Sequence, residues 1–179
     1  MSANFRLRPV LGLAAFLLGT LPASVHAGTG TVSAQASVDT YCTVATSALT
    51  FGPYDPIQAN VSANLDNGTT ASVTVTCVKD SNATIALGNG SNFLTGSRRM
   101  KHASKASFLT YELYKPPSLV PNAACSFPGS SVWNATSPLV PGSAPDKNSR
   151  RFNVCGTVPA GQDVEAGTYS DTVVVTVNF

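Results

Sequence analysis

Thr172-Val-Val-Val-Thr-Val-Asn-Phe179, the final stretch of the sequence, is its clearest strand signal. Apolar side chains recur at every second position and would share one face of the strand. They are Val173, Val175, Val177 and Phe179. Open sheet edges are normally blunted by charge, proline or a bulge, and this β-branched stretch contains no charged residue and no proline. Because no later strand follows it, we expect its outer edge to remain open for pairing.

A second alternating segment, residues 31–38, lies near the start of the chain, ahead of the first cysteine. Its apolar side chains are Val32, Ala34, Ala36 and Val38. Two interpretations of the surrounding N-terminal extension, residues 28–40, stay open on the pattern alone. The extension could complete the sheet of a neighbouring copy, which is donor-strand complementation and would give a head-to-tail fibre. It could equally fold back as an ordinary strand of its own domain.

Residues 1–27 have the features of a secretory signal peptide. Arg6 and Arg8 precede an apolar run over residues 10–18, and cleavage is predicted after Ala27. The run is too short to span a bilayer comfortably, so no transmembrane segment is expected in the mature chain. The whole chain has 11 Lys and Arg against 9 Asp and Glu. Loss of the two leader arginines leaves a near-neutral chain, without the basic face that nucleic-acid binding requires.

The rest of the sequence predicts one all-β domain over residues 41–179. Short strand-like segments separated by turn signals indicate a sandwich of antiparallel sheets. Residues 49–54 and 59–64 are predicted as short strands, and residues 98–101 are predicted to pair with 108–114. Residues 115–149, rich in Pro, Ser, Asn and Gly, are predicted to be mostly loop with one or two short strands.

Four cysteines lie in the exported part: Cys42, Cys77, Cys125 and Cys155. An even number in an oxidising compartment predicts two disulfides, and three pairings are possible. The pairs Cys42–Cys77 and Cys125–Cys155 are favoured because their members are nearest in sequence. Each would stabilise the fold by about 3–4 kcal/mol in the loop-entropy view. A metal site is disfavoured because no Cys-x-x-Cys occurs.

Catalysis is not expected, and neither is a cofactor. No Gly-x-Ser-x-Gly elbow surrounds a serine, and His102 is the only histidine of the predicted mature chain. The carboxylates are scattered and mostly lie beside turn residues. A secreted carbohydrate-active enzyme would have to rest on these carboxylates alone.

The chain resembles the spore coat protein U family, whose domain is shared with pilin subunits of the archaic chaperone–usher pathway. The similarity is carried by Leu49-Thr-Phe-Gly-Pro-Tyr54, Leu109-Thr-Tyr-Glu-Leu-Tyr114, Gly156-Thr-Val-Pro-Ala-Gly-Gln162 and the closing Gly167-to-Phe179 stretch. The resemblance implies an immunoglobulin-like sandwich that lacks its last strand. It also implies a disulfide from the first strand to the end of the second, which supports Cys42–Cys77.

The resemblance also implies partners and a route. A periplasmic chaperone would fill the gap first, and the next subunit's extension would replace it after passage through an outer-membrane usher. We therefore expect an exported pilus or surface-coat subunit that supports adhesion and biofilm formation. The apolar residues of segment 31–38 would insert into a groove lined partly by those of the final strand. The alternative is a surface-coat or adhesive module that folds alone and uses the Trp133 loop as a ligand-binding surface.

Overall fold

The computed structural model describes residues 26–129 and 131–179. The chain separates into two compact units, residues 1–36 and 37–179. In the first unit, residues 26–36 carry no helix or strand and are exposed. Residues 1–25 of the predicted signal peptide lie outside the described residues.

All ten strands lie in the second unit, and the described part of the chain contains no helix. In chain order they are β1 (Cys42–Ser47), β2 (Leu65–Asn67), β3 (Ser72–Cys77), β4 (Thr84–Leu87), β5 (Arg98–His102), β6 (Phe108–Tyr114), β7 (Arg150–Asn153), β8 (Cys155–Val158), β9 (Tyr169–Ser170) and β10 (Val175–Asn178). Accordingly, a search of the described residues finds no helix that could cross a membrane.

The strands form three antiparallel sheets. One has the order β2-β8-β6-β5-β9, a second has the order β1-β3-β7, and β10 pairs with β4. The predicted pairing of residues 98–101 with 108–114 is confirmed, because Arg99 on β5 lies opposite Thr110 on β6. The chain passes from the second sheet to the first at Val154, between β7 and β8.

Side chains from all three sheets meet in one apolar cluster, as expected for a sandwich. Its members include Val73, Val75, Ile85, Leu87, Leu109, Leu113, Phe152 and Val158. Strand β6 shows how a strand contributes to this cluster. Its residues alternate between buried and half-buried because only one of its faces meets the core. The fold is thus the predicted all-β sandwich of immunoglobulin type.

Two disulfides brace the sandwich, and they are the two pairs that the sequence favoured. Cys42–Cys77 joins β1 to the end of β3. Cys125–Cys155 ties the long connection over residues 115–149 to β8. That connection is mostly loop, as predicted, with isolated bridges at Val132, Leu139 and Ser143.

The strand predicted over residues 59–64 is wrong, because these residues belong to a turn. The Asp55 carboxylate accepts hydrogen bonds from the backbone N–H groups of Ile57 and Gln58. Asn60 closes the turn by accepting from the Asp55 N–H at 2.8 Å and donating to the Ala63 carbonyl at 2.9 Å. Local side-chain bonding of Asp and Asn wins over the weak alternation here.

The strand predicted over residues 49–54 is also wrong, since these residues join no ladder and Gly52 has a φ of 85°. Its Thr50 N–H donates to the Thr70 hydroxyl at 3.1 Å instead. Leu49 and Phe51 lie directly on β8 at Gly156, where an added Cβ would come within 2.5 Å of the Leu49 side chain. Apolar packing on a glycine therefore holds the segment, not backbone pairing.

Candidate functional site

The C-terminal strand presents an open edge. Among the described strands β10 pairs only with β4. The Gly88 N–H donates to the Val174 carbonyl at 2.8 Å, so the backbone groups of Val174 point towards β4. Backbone groups alternate along an antiparallel strand, so those of Val173 and Val175 face the opposite, unpaired side.

Strand β1 presents a second open edge. It pairs with β3, and the Val78 N–H donates to the Tyr41 carbonyl at 2.9 Å. The same alternation leaves the backbone groups of Val44 and Thr46 on the unpaired side. Val44 shares a face with the buried Cys42, yet its side chain is 48% exposed. The described residues therefore leave this part of β1 largely uncovered.

The two open edges bound one groove. They approach at one end, where the rings of Tyr41 and Phe179 make an edge-to-face contact with centroids 6.1 Å apart. β1 runs away from that contact and β10 runs towards it, so the two edges are antiparallel across the groove. Between them lies a cavity of about 570 Å³. Its lining includes Thr46, Ser47, Val73, Leu87, Val173 and Val175.

A second hollow of about 640 Å³ continues from this groove. Leu49, Phe51, Met100 and Tyr169 line both spaces. The Phe51 ring also makes an edge-to-face contact with Tyr111, with centroids 6.0 Å apart. The segment over residues 49–54 thus contributes to the lining of both spaces and forms part of the floor.

One polar network holds the groove edge ahead of β10. The Asp171 carboxylate accepts hydrogen bonds from the Ser91 N–H at 2.9 Å and from the Tyr111 hydroxyl at 2.8 Å. Burial, together with the hydrogen bond to Asp171, raises the pKa of the Tyr111 phenol above its ordinary value. Tyr111 therefore stays protonated and donates to Asp171 at physiological pH.

The predicted groove residues fall into two groups. Val173 and Val175 line the cavity, and Val177 packs half-buried against the core beside them. Phe179 lies at the closed end and is 55% exposed. The residues of the β1 edge were missed by sequence reasoning. A spacing of two places Val44 and Thr46 on the same face as Cys42, but it does not show that this edge of β1 is unpaired.

The predicted donor residues Val32, Ala34, Ala36 and Val38 are all exposed and belong to no strand. Val32 is 97% exposed and Val38 is 82% exposed. These apolar side chains are available for burial elsewhere.

Two residues considered from the sequence as chemical or ligand-binding groups are engaged within the fold. The His102 Nδ1 accepts from the Ser104 and Lys105 N–H groups, and Nε2 lies 3.1 Å from the Ala166 carbonyl. Trp133 is fully buried and donates from Nε1 to the Ile85 carbonyl at 2.7 Å. The Trp133 side chain itself is therefore not exposed to a ligand, and the ligand-binding surface on its loop stays a prediction. Within the described ranges no cluster of three metal-ligating side chains occurs.

Residues 28–176 match the sequence model of the family described as the Spore Coat Protein U domain. The chain belongs to this family. The spore coat U match begins at the residue that follows the predicted cleavage site. Protein U of Myxococcus xanthus is 33% identical over 180 residues, and the alignment covers 93% of each of the two chains.

A solved structure shares the fold of this spore coat U chain. It is the crystal structure of the CsuC–CsuE chaperone–tip adhesion subunit pre-assembly complex from archaic chaperone-usher Csu pili of Acinetobacter baumannii. One of its chains matches with a TM-score of 0.53 at 21% identity, over 79% of this chain. The match spans only 40% of the length of that chain. At this identity the likeness concerns the sandwich fold alone.

Proposed function

We propose that the chain is a structural subunit that polymerises by donor-strand exchange into a chaperone–usher type pilus or surface coat. The observation that carries the proposal is the pair of antiparallel open edges, β1 and the stretch ahead of and including β10, over an apolar floor. A strand entering between them would satisfy unpaired N–H and C=O groups on both sides, which is the usual source of affinity in strand addition.

The N-terminal extension, residues 28–40, is the proposed donor. Its small and β-branched apolar residues alternate, so one face can enter the groove while the other stays in water. Burial of Val32 and Val38 would contribute about 1.5–3 kcal/mol each. The two central positions, Ala34 and Ala36, have small side chains and therefore need only a shallow groove.

Chain direction distinguishes the two possible sources of the donor. Residues 39–41 lead directly into β1, so an extension that folds back would run antiparallel to β1 and parallel to β10. A donor from a second copy is free to run in the opposite direction, antiparallel to β10 and parallel to β1. Either direction gives one antiparallel and one parallel pairing, so the two sources differ in which edge is paired antiparallel.

The proposed route begins with export through the signal peptide over residues 1–27. A periplasmic chaperone would fill the groove, an outer-membrane usher would pass the subunit on, and a neighbouring subunit would then supply its extension. Family membership, and the fold shared with a chain from a chaperone-containing complex, support this order of partners. The assembled fibre or coat would lie at the cell surface and support adhesion and biofilm formation, without catalysis or a cofactor.

Deletion of residues 28–38 tests the proposal. The shortened chain keeps both groove edges, so it should still bind the chaperone but should not form polymers. The measurements are co-purification with the chaperone from periplasmic extracts and electron microscopy of surface fibres. Normal fibres from the shortened chain would contradict the proposal.

A matched pair of substitutions sharpens this test. Val32→Asp places a charge on the apolar face of the donor, whereas Ser33→Asp places the same charge on its polar face. Only the first should block assembly, because a buried unpaired carboxylate is costly. Equal effects of the two substitutions would mean that the alternation of the segment does not matter.

A further inference from the structure

Asp171 directly precedes the open groove edge that leads into β10, and its carboxylate accepts hydrogen bonds from several groups. Its Oδ1 accepts from the Ser91 N–H at 2.9 Å, the Asn92 N–H at 3.2 Å and the Asn92 side-chain amide at 3.0 Å. Its Oδ2 accepts from the Tyr111 hydroxyl at 2.8 Å. An added Cβ at Gly90 would lie 2.0 Å from Oδ2, so the loop over residues 88–92 wraps closely around this carboxylate.

The stretch that follows Asp171 is held by a small number of further contacts. Strand β10 begins only at Val175. Before it, the Thr172 carbonyl accepts from the N–H and the hydroxyl of Ser91, and the Val174 carbonyl accepts from the Gly88 N–H. Val173 packs partly buried against the core, whereas Val174 is 67% exposed and adds little packing. Hydrogen bonds to a charged acceptor are about twice as strong as neutral ones, so the Asp171 carboxylate is the dominant attachment.

We propose that Asp171 is the positioning residue of the groove: it fixes residues 172–174 so that the backbone of Val173 is presented to an incoming donor strand. This inference rests on the proposed donor-strand function and adds a specific residue to it. Asp171 does not pair with the donor itself. It acts through the adjoining backbone, and Tyr111, a floor residue, connects its position to the packing beneath the donor.

The test uses the complete exported chain and a fluorescent peptide of residues 28–40. Asp171→Ala should lower the affinity for the peptide about ten-fold, the equivalent of ~1.4 kcal/mol. Asp171→Asn keeps an oxygen for the N–H groups of residues 91–92 and should restore most of the affinity. Tyr111→Phe should act in the same direction as Asp171→Ala, and the two effects should not add, because both remove the same contact.

Asp66→Ala is the matched control, since Asp66 also accepts a hydroxyl hydrogen bond, from Thr157 at 2.7 Å, but lines neither cavity. It should change stability without changing the peptide affinity. Hydrogen exchange adds a readout that needs no peptide: Asp171→Ala should accelerate exchange at the Ser91 and Asn92 amides.

The outcomes are distinct. If the wild type captures the peptide and Asp171→Ala weakens capture no more than Asp66→Ala does, the positioning role is overturned. If the wild type captures no peptide, the donor-strand proposal fails. The exchange measurement still decides the role of Asp171 in that case, because unchanged exchange at Ser91 and Asn92 overturns it.

Discussion

Arg98 is the most deeply buried charge among the described residues, with 2% of its side chain exposed. It pairs with Glu112 and donates from Nη2 to the Gly88 carbonyl at 2.7 Å and the Trp133 carbonyl at 2.9 Å. One guanidinium thus joins the end of β4, strand β6 and the long connection that contains Trp133. The role of Arg98 could not be predicted from sequence, where Arg98-Arg99 is typical of solvated charge.

Arg98→Ala should therefore lower the free energy of unfolding by about 3–5 kcal/mol, because it leaves a carboxylate and several carbonyls without their partner. The exposed pair Lys105–Glu165 is the control, and Lys105→Ala should cost less than about 1 kcal/mol. Urea unfolding followed by Trp133 fluorescence measures both. Similar losses for the two variants would contradict the structural role given to Arg98.

Tyr111 gives the stability a pH dependence. Burial raises its pKa in the folded chain, while the unfolded phenol titrates near pH ~10. The stabilising contribution is complete below pH ~10 and is lost as the pH rises above that value, because ionisation is easier in the unfolded chain. The urea midpoint should fall above pH ~10 in the wild type and fall less in Tyr111→Phe. Burial also raises the pKa of Tyr114, so part of the fall should remain. Identical pH profiles for the two proteins would contradict this assignment.

At the scale of strands, the alternation of apolar and polar residues predicted which face of a strand packs against the core. The faces of residues 172–179 were predictable, because Val173 and Val177 meet the core while Val174 points to water. The turn at Asn60 was not predictable from alternation, since it depends on which side-chain oxygens reach the backbone. The open edge of β1 was missed because the sequence of β1 does not show how many strands pair with it. In the structure β1 pairs with β3 alone among the described strands.

The two disulfides should have separable effects, because they restrain different elements. Cys42→Ala with Cys77→Ala frees β1, a wall of the groove, and should reduce both stability and capture of the donor peptide. Cys125→Ala with Cys155→Ala frees the long connection and should reduce stability by about 2–4 kcal/mol with little change in capture. Chemical denaturation and peptide binding measure the two effects. Loss of capture in the second variant alone would contradict the location assigned to the groove.

At the scale of the whole molecule, the sandwich of antiparallel sheets was predicted from local pattern, and spacing favoured the observed disulfide pairs among three possibilities. The immunoglobulin type was implied by the family resemblance. The groove, in contrast, could be identified only from the three-dimensional structure. Its floor combines β3, β4 and β6 with the unpaired segment over residues 49–54, and no spacing rule brings these elements together. The described residues combine two open strand edges with an exposed alternating segment, and these are the two parts that the proposed donor-strand exchange requires.

Donor-strand exchange is tested most directly by producing two variants in one cell, one without the donor segment and one with a blocked groove. One chain lacks residues 28–38 and keeps its groove, while the other keeps its donor segment and carries Val175→Arg to block the groove. Both are exported together with the chaperone, and native mass spectrometry measures the assemblies. We expect that neither chain polymerises alone and that the mixture stops at heterodimers with one of each chain. Polymers from either chain alone, or the absence of heterodimers from the mixture, would contradict it.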